Sequence, residues 1–142
     1  MIVVMVIGVL AAVVLPTVRG NAIRAKVSEA VLAFGNCRNM VAETFMSADS
    51  LPNAGEWGCE SELGVPVSQY VDSITVIGGV IRVATSGQLD PRIASATITL
   101  APVDSAGNVL TDPGPVSRWR CGALLDGTDL SAVYLPSSCR GN

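Results

Sequence analysis

The 142-residue chain contains no histidine, which removes every Ser-His or Cys-His nucleophile pair and every His-ligated metal site. Its single lysine, Lys26, and formal net charge of −3 exclude a polybasic surface for nucleic acid. Two Trp, two Tyr and two Phe are too few aromatic platforms for a single-strand nucleic-acid binder. The carboxylates are scattered singly, so no glycosidase pair is proposed, and neither Gly-x-Ser-x-Gly nor Gly-x-x-x-x-Gly-Lys occurs. Asp104-Ser-Ala-Gly-Asn108 and Asp126-Gly-Thr-Asp129 lack the twelve-residue calcium loop and its closing glutamate, and read as turns. Arg118, Arg120 and Arg140 read as solvated cations, and Trp57 and Trp119 as packing residues. The expectation is a protein that is not an enzyme, with no cofactor, no metal and no small-molecule substrate.

Charge is also missing from one end. Met1 to Val18 carry none, and 15 of these 18 residues are hydrophobic. As a helix this run is about 27 Å long, slightly short of a bilayer core. It lacks a positive leader and a small-x-small cleavage site, which argues against a cleaved signal peptide. An apolar surface on every side of a helix needs lipid or other helices to cover it. Arg19, Arg24 and Lys26 follow directly. Alone, they would turn that end toward the cytoplasm. The four cysteines, Cys37, Cys59, Cys121 and Cys139, include no Cys-x-x-Cys and are better explained as disulfides in an oxidising compartment, which places the downstream part outside the cytoplasm.

Beyond Pro16 the apolar residues fall on one stripe at three-to-four spacing: Ile23, Val27, Ala30, Val31, Phe34, Cys37, Val41 and Phe45. The pattern predicts one helix from near Met1 to about Ala48, with Gly8, Pro16, Gly20 and Gly35 as weak points. Bending or local unwinding is expected between Gly8 and Pro16. A proline- and glycine-rich loop follows over 49–69. The period then changes to two. Tyr70 to Ile77 and Val80 to Ser86 predict a hairpin across Gly78-Gly79. Ile93 to Ala101 predicts a third strand bounded by Pro102, and Val116 to Cys121 a shorter fourth. The remainder, Gly122 to Asn142, has little pattern. Helix first and antiparallel strands afterwards indicate an α+β fold, with a four-stranded sheet packed on the helix stripe. The organisation expected is an apolar segment 1–20 and a globular head 21–142. Within the head lie the amphipathic helix 21–48, the loop 49–69, the sheet 70–121 and the terminal loop 121–139. Four cysteines allow three connectivities. Cys37 on the stripe can reach Cys59 in the next loop, leaving Cys121 with Cys139 across 17 intervening residues. A loop of that size contributes roughly 3 kcal/mol in the chain-entropy account.

Ile-Val-Val-Met-Val-Ile-Gly-Val-Leu-Ala-Ala-Val-Val-Leu-Pro from Ile2 to Pro16, with Ala25-Lys-Val-Ser-Glu-Ala30, resembles the N-terminal helix of type IV pilins. Tyr70 to Val76, Gly79 to Val83, Ile98 to Pro102 and Trp119-Arg-Cys121 are similar to the family's sheet. Tyr134-Leu-Pro-Ser-Ser-Cys139 resembles its C-terminal disulfide loop. Pseudopilins of type II secretion share the apolar helix, but the Trp-x-Cys … Tyr-Leu-Pro-x-x-Cys ending resembles a type IVa major pilin. The resemblance implies a subunit that waits in the inner membrane, is handled by pilus assembly machinery, and polymerises with identical copies into an extracellular filament. It also implies adhesion, twitching motility, DNA uptake or phage attachment, with host surface, DNA or phage as partners. The assembly helix would be carried by Ile2, Val6, Ile7, Gly8, Leu10, Val14, Leu15 and Pro16, and inter-subunit electrostatics by Arg19, Arg24 and Lys26. Members of the family are processed to a methylated N-terminus of Phe-Thr-Leu-Ile-Glu type, and the chain as given starts just inside that segment. The family's assembly glutamate is therefore assigned to no residue here. The alternatives are a minor pilin, a secretion pseudopilin, or a membrane-anchored periplasmic binding domain.

Overall fold

The structure is a computed structural model that describes residues 7–8, 20–62 and 64–141. Helix α1 (residues 20–32) passes through a turn at Ala33 into α2 (Phe34–Ser47). Four strands follow: β1 (Val71–Ile77), β2 (Val80–Thr85), β3 (Thr97–Val103) and β4 (Arg118–Cys121). They form one antiparallel sheet in the order β1-β2-β3-β4. This is the α+β arrangement that the change of period predicts.

The stripe is the reason the helix lies where it does. Ile23, Val27, Ala30, Phe34, Cys37, Val41 and Phe45 are all buried, whereas Val31 is half-buried at the margin. They meet one face of the sheet. Ile74 pairs with Val83 and Val76 with Ile81, and Val83 and Ile81 pair in turn with Ile98 and Leu100. These residues therefore share a face, and all belong to the core. Each such side chain contributes about 1.5–3 kcal/mol through burial. Gly78 and Gly79 both have positive φ, 56° and 81°, which suits the tight hairpin between β1 and β2.

The limits of β3 differ most from expectation, and β4 starts at Arg118 rather than Val116. Pro91–Ile93 form a 3-10 turn capped by Asp90, and Ser95 has φ 60°, so β3 starts at Thr97 rather than Ile93. Pro102 lies inside β3 opposite Trp119. Pairing with β2 ends at Leu100, so the missing proline N–H falls beyond that ladder and removes no bond from it.

The outward edge of β1 is occupied. The Ser61 amide donates to the Ile74 carbonyl, the Ile74 amide to Ser61 Oγ, and the amides of Val67 and Ser68 to the Val71 carbonyl. Glu60 anchors this loop as an acceptor of three main-chain amides: Gly55 at 2.9 Å, Trp57 at 3.2 Å and Val76 at 2.8 Å. Replacing Glu60 with alanine orphans all three. The expected loss is about 2–3 kcal/mol in urea denaturation, with faster amide exchange at Gly55 and Val76. Unchanged exchange there would show that the loop holds without it.

Candidate functional site

Three elements set the surfaces of the described residues. The first is the N-terminal helix. Ile7 and Gly8 are helical, and Ile7 is 61% exposed. Ile2, Val6, Leu10, Val14, Leu15, Pro16 and Arg19 lie outside the described residues. No described helix is long and apolar enough to cross a membrane. Arg24 Nη2 donates to the Val133 carbonyl at 2.9 Å. Lys26 Nζ donates to the Leu89 carbonyl at 3.3 Å and stands 5.4 Å from the Tyr70 ring centre. Both cations thus tie α1 to loops of their own head. Pairing with another copy would have to compete with these bonds.

The second element is the loop between α2 and β1. Its Cys59 is bonded to Cys37 on the helix stripe. Trp57 is buried against Phe45, with ring centres 5.9 Å apart.

The third is the C-terminal loop, closed by Cys121–Cys139. Its first turns bond to β3, and its Leu130, Leu135 and Cys139 join the core shared with the helix. Thr128 Oγ1 accepts from the Thr99 amide at 3.1 Å and bonds the Thr99 hydroxyl at 2.7 Å, all buried. Asp129 accepts from the Thr97 amide. Arg120 reaches Asp126 with Nε at 2.7 Å and Nη2 at 2.6 Å, and its Nη1 donates to the Gly107 carbonyl. The Asp126 side chain is 1% exposed and that of Arg120 14%. Hydrogen bonding to Asp126 raises the Arg120 pKa further. Arg120 is therefore a clamp on two turns, not the solvated cation its position in sequence indicates. Nothing local marks Asp126 as its partner.

The turn carboxylates are likewise occupied: Asp126 by Arg120, Asp129 by Thr97, and Asp104 by the Asn108 amide at 2.8 Å. That amide bond is the main reason the Asp104 pKa is lowered. Among the described residues, no cluster of carboxylates and cysteines is arranged to hold a metal. On the surface, Arg92 donates to Asp90 from its side chain and its amide at 2.9 Å. The side-chain bond, the larger cause, and the amide bond together lower the Asp90 pKa from 3.8 to about 2. A depressed carboxylate stabilises the fold above its unfolded value and loses that contribution as pH falls from about 3.8 toward 2. Carbon-detected NMR of Asp90 should therefore give a midpoint near 2 in wild type and a higher one in Arg92→Ala. A wild-type midpoint near 4 would contradict the pairing.

Residues 23–140 match the Pilin family, described as a bacterial filament protein. The chain belongs to the pilin family. The pilin is 32% identical over 149 residues to the type IV major pilin protein PilE1 of Neisseria gonorrhoeae, covering 99% of this chain and 70% of that one. It is also 32% identical over 157 residues to a fimbrial protein of Neisseria meningitidis, covering 99% and 89%. This pilin is thus a structural pilus subunit and not an enzyme.

Proposed function

We propose that this pilin polymerises through its N-terminal helix into a type IV pilus as the major subunit. Segment 1–20 holds it in the inner membrane before assembly, and segment 21–142 is the head. The assembly machinery then transfers it to an extracellular filament whose centre is a bundle of such helices. Adhesion, twitching motility, DNA uptake or phage attachment are properties of that fibre, and a methylated first residue belongs to the same reading.

One observation carries the proposal. The stripe on residues 20–47 is buried against the chain's own sheet, whereas the sequence up to Val18 has no charge on any side of a helix. Lipid and neighbouring helices can each cover such a surface, so one segment serves both environments. The similarity to proteins named major pilin and fimbrial protein supports a major subunit over a minor pilin or pseudopilin. Electron microscopy of sheared cell-surface material tests it: smooth filaments composed mainly of this chain are expected. Finding the protein only in the inner-membrane fraction would overturn the proposal.

A further inference from the structure

A groove of about 680 Å³ runs between the helix and the outer strand β4. Phe34, Val31 and Trp119 form its apolar lining, and Arg38 and Arg118 stand at its rim. Both arginines are exposed, and neither is ion-paired to another described residue. The Arg38 guanidinium carbon lies 5.8 Å from the Trp119 ring centre, so the aromatic ring is braced under a cation. The groove therefore suits an apolar segment that carries negative charge.

The chain holds such a segment at its opposite edge. Between Arg38 and Arg82 it contains Glu43, Asp49, Glu56, Glu60, Glu62 and Asp72, and no lysine or arginine. Within this stretch Val65 and Val67 are 54% and 44% exposed, and Glu62 and Asp72 are exposed as well. The loop lies along β1, and β1 and β4 are the two outer strands of the sheet. Three strand spacings, about 14 Å, separate them, so loop and groove of one copy cannot meet.

We infer that the loop carrying Val65 and Val67 of one copy seats in the Arg38–Trp119–Arg118 groove of the next. This rests on the filament reading and identifies a head-to-head contact within it. Val65 and Val67 cover the Phe34 and Trp119 lining, and Glu62 and Asp72 face the two arginines. Surfaces of opposite sign on opposite edges make a heterologous contact, which propagates as an open helical array. Rim charges set register and suppress wrong partners, while the buried aromatic supplies adhesion.

The test uses whole pili assembled from the full chain with Val65→Cys and Ser117→Cys together. A short bis-maleimide should give a ladder of dimers, trimers and longer species, whereas either cysteine alone gives none. Pili that form normally and yield no ladder from the double variant overturn the contact and leave the filament reading intact. Failure of wild-type cells to make filaments of this chain overturns both. As a second arm, Arg38→Glu with Arg118→Glu should lower piliation about ten-fold, and Glu62→Arg with Asp72→Arg added to the same chain should restore much of it. Full piliation by the arginine variant alone also refutes the contact.

Discussion

Replacing Arg120 with methionine should destabilise the head by about 3–5 kcal/mol, because the substitution leaves an ionised carboxylate enclosed with no counter-charge. Asp126 is 1% exposed and takes both of its guanidinium bonds from Arg120. The same side chain holds the Gly107 carbonyl, so two turns are released at once. The pair itself is not the source of that figure. Two charges taken from water together gain little net free energy, and the penalty appears when one is removed. The double variant Arg120→Met with Asp126→Leu should therefore be more stable than Arg120→Met alone. Urea denaturation of wild type, both single variants and the double variant measures this directly. Additive single effects, with no recovery in the double, would refute the buried-pair account.

A second large effect is expected from adding one methyl group at Gly122. Its φ is 74°, a region in which an alanine costs about 1–2 kcal/mol. A Cβ there would also strike the Cys139 carbonyl oxygen and lie 2.9 Å from Leu135 Cδ1. A carbonyl beside the Cys121–Cys139 bond cannot swing away as a flexible side chain would. Strain and overlap together should remove about 3 kcal/mol, or about 10 °C of thermal midpoint for a domain of this size. Gly55 provides the control. Its φ is 89°, but a Cβ there meets nothing within 4 Å, so Gly55→Ala should show the conformational part alone. Equal shifts for the two alanine variants would mean that the contact with Cys139 contributes nothing.

What was legible in the sequence follows the range of each signal. The helix stripe and the Gly78-Gly79 hairpin are local patterns, set by the 3.6 and 2.0 periods and by the need for positive φ, and both are present in the structure. The start of β3 was not legible, because Ala94, Ser95 and Ala96 continue the alternation of Thr97 to Leu100 while the Asp90 cap and the φ of Ser95 turn the chain aside. Pro102 looks like a strand end until the pairing of β3 with β2 is known to stop at Leu100. Residues beyond Gly122 show little periodicity because their bonds are to β3, as with Thr128 to Thr99 and Asp129 to Thr97. Glu60 and Arg120 escaped for the same reason: their partners are main-chain groups or a lone carboxylate, which no spacing rule marks. The cysteines were readable because few partners compete. The structure pairs Cys37 with Cys59 and Cys121 with Cys139.

The occupied edge of β1 has a consequence for how such a chain can form a fibre at all. An open strand edge is a template for any other strand, and a dense array of identical subunits offers many. Here Ser61, Glu60, Val67 and Ser68 take the outward groups of Ile74, Val76 and Val71. At the other side β4 is only four residues long, with arginines at two of them. Strand-to-strand growth of the amyloid kind is thereby blocked at both margins of the sheet. Fibres of this chain should neither give a cross-β reflection nor light up thioflavin T. A subunit kept at high local density stays available for ordered assembly because its sheet is closed to addition.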